Sequence, residues 1–262
     1  MSILKKLLFL TKAPRYKLDQ ITYRWTGNRE KLGEWKAKYK GKPLVIVGNG
    51  PSLNKTPLDK FSGIPAVGMN KIDLLFKRVS WRPTVIVCTN NLVVKQHHGA
   101  MASHGISCLL SWKSRWFMPF KDRGDFIFFL NDATSEFSED FSDKVGAAGT
   151  VTYTALQLAA YVEANPIILL GVDHNFSCSG KPNDIQKREG EDANHFDPNY
   201  FAAGQYWGLP NLDKSELGYR VARRYFDERN IKIYDATVGG KLDVFEKISI
   251  EEALELCGLP AQ

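Results

Sequence analysis

Cysteine is scarce in this chain: four in 262 residues (Cys88, Cys108, Cys178, Cys257), far apart and with no Cys-x-x-Cys pair. That usage excludes a zinc ribbon and a disulfide framework and fits a reduced, cytoplasmic compartment. Also missing is any run near the roughly 18–20 apolar residues of a membrane span. Neither G-x-G-x-x-G nor G-x-x-x-x-G-K-[ST] occurs, so the common dinucleotide site and the P-loop are not expected. Internal repeats, low-complexity tracts and a composition break that would mark a linker are absent too.

What is present is an ordinary globular composition, 44% hydrophobic and 24% charged, long enough for one large α/β domain. The net charge of +6 is unevenly spread, because the first 42 residues hold twelve Lys and Arg against Asp19, Glu30 and Glu34. The rest is roughly neutral, so the basic balance does not argue for a nucleic-acid partner. Residues 1–42 read as a basic helical extension, with Trp25 and Trp35 docking onto the body. Met1 to Leu10 is basic and apolar but lacks the long apolar region and cleavage site of a signal peptide. An interfacial helix laying Leu4, Leu7, Leu8 and Phe9 on acidic lipid is one expectation for residues 1–20, on the cytoplasmic face of the inner membrane. A helix packed on its own domain or on a partner is the other.

From Lys42 the texture alternates between strands and helices. Leu44 to Val47 is a β-branched strand that breaks into Gly48-Asn49-Gly50-Pro51-Ser52-Leu53. The small residues there let backbone approach a ligand, and Ser52 stands where it can cap a helix or meet a phosphate. The alternative is a tight strand-to-loop connection with no ligand. Further strands are expected at Ile64 to Asn70, Thr84 to Asn91, Ser107 to Leu110, Phe126 to Leu130, Pro166 to Asp173 and Ile231 to Tyr234. Helices are expected from Gly149-Thr150 to about Ala164, from about Asp213 to Arg229, and from near Ser249. Ser177 to Asn211 is too long for an ordinary connection and reads as a lid-like loop. Residues 43–262 thus read as one Rossmann-like domain with a mainly parallel sheet.

Four strand ends carry polar groups: Asn49, Asn70, Asn90 with Asn91, and Asp173 with His174. Each alone is what turns favour. Together they matter more, because the carboxyl ends of parallel strands converge on one crevice.

The string Gly48-Asn49-Gly50-Pro51-Ser52-Leu53, followed by strands ending in Asn70 and Asn90, resembles the bacterial lipooligosaccharide sialyltransferases that use CMP-activated sialic acid. It is also similar to the MptE-like family of hydroxymethylpterin pyrophosphokinases and Maf flagellin glycosyltransferases. The likeness continues through Gly149-Thr150-Val151, Gly171-Val172-Asp173, Ile231 to Tyr234 and Ala236-Thr237-Val238-Gly239-Gly240. It implies a Rossmann-like transferase whose nucleotide sits in the strand-end crevice. Asn49 and Asn70 map to asparagines that hold the CMP-sugar, and Gly149 and Thr150 to a pair that contacts the nucleotide. The pattern departs after the Gly-x-Asp strand, where the sialyltransferases carry two tyrosines and this chain has Asn175 and later Lys181. Their histidine base precedes the last helix, where ungapped counting finds Asp213, read here as a helix N-cap, and the nearest upstream histidine is His195.

A sugar transfer from CMP needs a base for the acceptor hydroxyl and donors for the departing phosphate. His195 in the loop is the candidate base, with His174 beside Asp173 as its rival; Lys181, Lys187 and Arg188 are candidates to close over the phosphate. Phe196, Tyr200, Phe201, Tyr206 and Trp207 suit stacking on a sugar or packing a small core of their own. The leading reading is a glycosyltransferase of cell-surface glycan or lipopolysaccharide assembly. Its donor would be a nucleotide-activated sugar, CMP-linked and sialic-acid-like or Kdo-like, and its acceptor a glycan or lipid-linked hydroxyl. It requires no cofactor and no metal, and it leaves a homo-oligomer open. The rival is a pyrophosphokinase acting on hydroxymethyl-dihydropterin, needing ATP and Mg²⁺ held by carboxylates such as Asp173, Asp192 and Asp197. A non-catalytic nucleotide-binding relative is the third. The absence of Asp-x-Asp favours metal-free chemistry weakly.

Overall fold

The computed structural model describes residues 12–132, 134–177 and 179–260. The expected interfacial helix through Leu4, Leu7, Leu8 and Phe9 lies outside the described residues. Two basic helices come first, α1 (Lys12–Arg24) and α2 (Asn28–Tyr39). Strands β1 (Leu44–Val47), β2 (Ala66–Met69) and β3 (Val85–Cys88) follow, then α3 (Asn91–Ser103), β4 (Cys108–Ser111) and β5 (Ile127–Phe129). Next come α4 (Val151–Tyr161), β6 (Ile167–Leu170), β7 (Ile185–Lys187) and β8 (Tyr206–Gly208). The chain continues through α5 (Leu212–Asp227), β9 (Ile233–Asp235), β10 (Glu246–Lys247) and α6 (Ile250–Leu256).

Eight strands form one parallel sheet in the order β10-β9-β6-β1-β2-β3-β4-β5. From β1 the chain builds outward through β5, then returns through α4 to lay β6 on the other side of β1. Val47 therefore stands between Gly68 of β2 and Leu170 of β6. This reversal leaves a crevice beyond the carboxyl ends of β1 and β6, where open α/β sheets bind ligands.

The strands are short and apolar because both faces are covered. Leu44, Ile46, Val67, Met69, Val85 and Val87 point to one layer, where α4, α5 and Leu32 of α2 complete a core. Val45, Val47, Ile86, Cys88, Ile168 and Leu170 point to the other, closed by α3, α6 and the 196–209 aromatics. Trp35 packs against the first core, but Trp25 is 87% exposed and does not dock as expected. The helix from Thr150 ends three residues early, at Tyr161.

Two features were not expected. A short strand, β10, extends the sheet beyond β9. Within the 177–211 stretch, β7 and β8 form an antiparallel hairpin. The stretch is fastened down: Phe196 N–H donates to the carbonyl of Asn49, and Asn54 Nδ2 and Arg78 donate to that of Phe196. Among the described residues no helix is long and apolar enough to cross a membrane.

Candidate active site

The crevice at the switch point has a volume of about 580 Å³, within the roughly 300–1,000 Å³ of small-molecule sites. Its wall gathers Gly48, Asn49, Gly50, Asn70, Asn90, Asn91, Gly149, Thr150, Asp173, His174 and His195. Eleven of the expected positions thus converge on one cavity. Ser52 and Lys181 do not line it.

The glycine turn has a tighter job than ligand approach alone. A Cβ on Gly48 would lie 2.1 Å from the Gly171 carbonyl oxygen, and one on Gly50 would lie 1.7 Å from Asp173 Oδ2. The turn after β1 is therefore pressed directly onto the end of β6. Asp173 locks it there, accepting from Ser52 N–H at 3.1 Å and from Ser52 Oγ at 2.6 Å. Burial raises the Asp173 pKa, opposed by these two bonds. Two expectations change accordingly. The Ser52 hydroxyl donates to Asp173 and does not line the crevice, and Asp173, with both oxygens accepting from Ser52, ties the turn.

The asparagines divide into two kinds. Asn90 is the N-cap of α3, its Oδ1 accepting from Leu92 and Val93 N–H, and Asn91 Oδ1 accepts from Ser114 Oγ. These carbonyls are committed to structure. Asn49, Asn70 and Asn131 each bury their Oδ1 with no partner, and all three line the crevice. A buried amide oxygen left unpaired costs about 1–3 kcal/mol, and the three residues that carry one line the same cavity, which singles it out as a candidate site for a polar ligand. Asn70 holds its position in the left-handed region, at φ +51°, which few residues besides glycine adopt as readily as asparagine.

Asn131 escaped the sequence reading, although it follows the Phe126–Leu130 run just as Asn70 follows its strand. Ser111, the last residue of β4, and Lys113 just beyond it were missed as well, and both line the crevice. The cation at this wall is Lys113. Lys181 is exposed on the turn before β7, its N–H donating to Asp184. Gly149, at φ +74°, turns the chain into α4, and Thr150 caps that helix by accepting from Thr152 N–H at 3.2 Å. Asn211 caps α5, accepting from Lys214 N–H, so the expected cap Asp213 sits within the first turn.

His195 is held as a base would be. Its Nδ1 lies 2.8 Å from Oδ2 of Asp192, whose side chain is fully buried. A carboxylate only accepts, so Nδ1 carries a proton, and in the neutral ring Nε2 keeps its lone pair. Burial works to raise the Asp192 pKa, but the hydrogen bond and charge of His195, Asn194 N–H and Arg188 together hold it below the ordinary value. The imidazole stacks on Tyr200, with 3.9 Å between centroids and 3° between planes. Tyr200 is fixed in turn by Lys71, whose ammonium donates to the Tyr200 carbonyl at 2.7 Å and to Gln205 Oε1 at 2.9 Å. His174, the rival, has Nε2 3.8 Å from Glu216 and burial pulling its pKa down.

Phe196, Tyr200, Phe201 and Trp207 are buried in the second core layer, with Tyr200, Phe201 and Trp207 also lining the crevice, while Tyr206 is exposed. The carboxylates suggested for Mg²⁺ do not converge, since Asp173 serves Ser52 and Asp192 serves His195. Among the described residues no group of three His, Cys, Asp or Glu side chains is placed to hold a metal ion.

No protein-family model matches this chain, and no curated protein matches it significantly. Among solved structures it is similar to a variant of the sialyltransferase CST-II in complex with CMP. The identity is 14%, the match covers 79% of this chain and 86% of that one, and the TM-score is 0.45.

Proposed function

We propose that the crevice binds a nucleotide-activated sugar, CMP-linked, and that the protein transfers the sugar to a glycan or lipid-linked hydroxyl. The observation that carries this reading is the gathering of Asn49, Asn70 and Asn131, each with an unpartnered amide oxygen, on the wall of a cavity that His195, backed by Asp192, also lines. Uncharged acceptors at the ends of three strands suit the amino and hydroxyl groups of a base, a ribose or a sugar. The resemblance of the Gly48 to Leu53 string to CMP-sugar enzymes narrows the nucleotide.

His195 Nε2 takes the proton of the acceptor hydroxyl. The acceptor oxygen bonds to the anomeric carbon as that carbon's bond to the phosphate oxygen breaks, and CMP departs carrying the added negative charge. Lys113 and the amino end of α4 supply positive potential on the same wall. Asp192 keeps the imidazole in the required tautomer and stabilises its protonated form.

A thermal-shift panel of CMP, CDP, UDP, GDP and ATP, each with and without Mg²⁺, tests the reading. Ligand at about 100 times its dissociation constant adds about 2.7 kcal/mol, a rise of about 5–10 °C for a domain of this size. Stabilisation by cytidine nucleotides without metal, lost in Asn49→Ala, is expected. Stabilisation by ATP with Mg²⁺ alone would overturn the reading in favour of phosphoryl chemistry.

A further inference from the structure

Of the eleven large apolar side chains exposed among the described residues, six fall in two neighbouring segments. Leu18 and Ile21 on α1 and Trp25 just past its end form a stripe; Trp116, Phe117 and Phe120 follow β4. The stripe is held outward by the opposite side of the same helix. There Asp19 forms a buried ion pair with Arg115, and Tyr23 donates its hydroxyl to the Ser142 carbonyl and packs edge-on against Trp112. Arg115 joins the two segments, because its guanidinium also lies over the rings of Trp112 and Trp116. Arg123 lies over Trp116 and Phe120. Trp25 and Phe120 are the extreme members, 87% and 82% exposed.

A cluster of this kind in water is unfavourable and marks a surface that meets something. Its surroundings say what. Lys17, Arg24, Lys113 and Lys121 are exposed within the same two segments, with Arg123 between the rings. Of the acids nearby, Asp19 is paired with Arg115 and Asp122 lies 3.4 Å from His98, which leaves Asp125 as the exposed carboxylate of the two segments against five cations. Arg24 also has Asp143 at 3.6 Å. A second copy would bring the same cations against these, and residues 1–11 add Lys5 and Lys6 rather than acids. Charge therefore favours an anionic partner. Protruding tryptophan and phenylalanine beside lysine and arginine are the side chains that settle at the boundary of headgroups and acyl chains.

We propose that the outer stripe of α1 and the 116–120 segment together form a docking surface for an anionic lipid bilayer. The surface adjoins the crevice, since the chain that leaves β4 contributes Ser111 and Lys113 to the crevice wall and, three residues later, Trp116 to the docking face. Docking there would hold the crevice close to a membrane, which suits the lipid-linked acceptor of the function proposed above, on which this last point rests. The surface differs from the N-terminal decapeptide as a source of membrane affinity, and its test does not depend on which nucleotide the crevice takes.

The test is co-sedimentation of the full chain with phosphatidylcholine vesicles, with and without about 30 mol% phosphatidylglycerol, at about 0.1 M and 0.5 M salt. Binding to the anionic vesicles, weakened by salt, is expected. Trp25→Ala with Phe120→Ala lowers the partition coefficient by about tenfold or more while the melting temperature stays unchanged. Lys121→Glu, a second route should the double variant melt early, weakens binding to anionic vesicles and leaves binding to neutral ones as it was. The proposal is overturned if the chain ignores both vesicles, or if the double substitution and Lys121→Glu leave partition unaltered. It is equally overturned if sedimentation shows a dimer that the double substitution dissociates.

Discussion

A histidine becomes a useful base when something else decides its tautomer, and in this protein that is Asp192 (2.8 Å from Nδ1). His195→Ala is expected to lower sugar transfer by about 10²–10⁴ while cytidine-nucleotide stabilisation persists. Asp192→Asn keeps the imidazole but loses the tautomer control; its transfer rate is expected to fall by a comparable factor, again with binding retained. Steady-state kinetics beside the thermal-shift panel separates the two effects, and loss of binding in either variant would assign the pair to structure. Lys71 works one layer behind. Burial lowers its pKa to about 8, with Asp73 and Asp192 offsetting part of the effect. The folded protein therefore binds fewer protons at this site than the unfolded chain between about 8 and the ordinary 10.5. Stability from this group rises with pH across that window and is penalised below it. Urea midpoints taken across the window should show the rise in wild type and not in Lys71→Met; parallel curves would remove Lys71 from the account.

At the scale of elements, the turn between β1 and the 51–55 helical turn is the most constrained piece of backbone in the site. Gly48→Ala forces a methyl group to within 2.1 Å of the Gly171 carbonyl oxygen. Backbone on both sides cannot yield cheaply, so a loss of about 3 kcal/mol or more is expected in urea unfolding. The conformation itself is ordinary at Gly50, whose φ is −71°, and there the nearest obstacle is the Asp173 side chain, its carboxylate foremost. Gly50→Ala is therefore expected to recover part of its loss when combined with Asp173→Ala, whereas Gly48→Ala gains nothing from that partner. Strictly additive losses in the Gly50–Asp173 double-mutant cycle would count against the packing described here. The same turn shows what a linear pattern hides. Gly-Asn-Gly-Pro-Ser reads as a ligand loop, yet two of its glycines and its serine answer to β6, 121 residues away. The asparagine between them lines the crevice, and its side-chain oxygen has no partner within the chain.

For the molecule as a whole, substituting the amide trio is the broadest test: Asn70→Ala or Asn131→Ala should each weaken cytidine-nucleotide binding by about tenfold or more, measured calorimetrically. Unchanged affinity in both would place the nucleotide elsewhere. Hydrophobic runs, glycines and caps were enough to place most strands and helices, because burial on two faces and turn chemistry are written locally. So were the strand-end asparagines and the candidacy of His195. The two-residue β10 and the β7–β8 hairpin were not legible: strands that short and that exposed carry no periodic signal. Nor could the sequence say that Asn90 and Asn91 serve α3 and Ser114, that Lys113 stands at the crevice where Lys181 does not, or that Trp25 faces out while Trp35 faces in. Alternation and composition alone determined an α/β chain with polar strand ends. Only the tertiary structure decided which of those ends are paired and which are open. Hydrogen-bond satisfaction depends on partners far apart in sequence, and it is settled only when the parallel sheet brings them within 3 Å of one another.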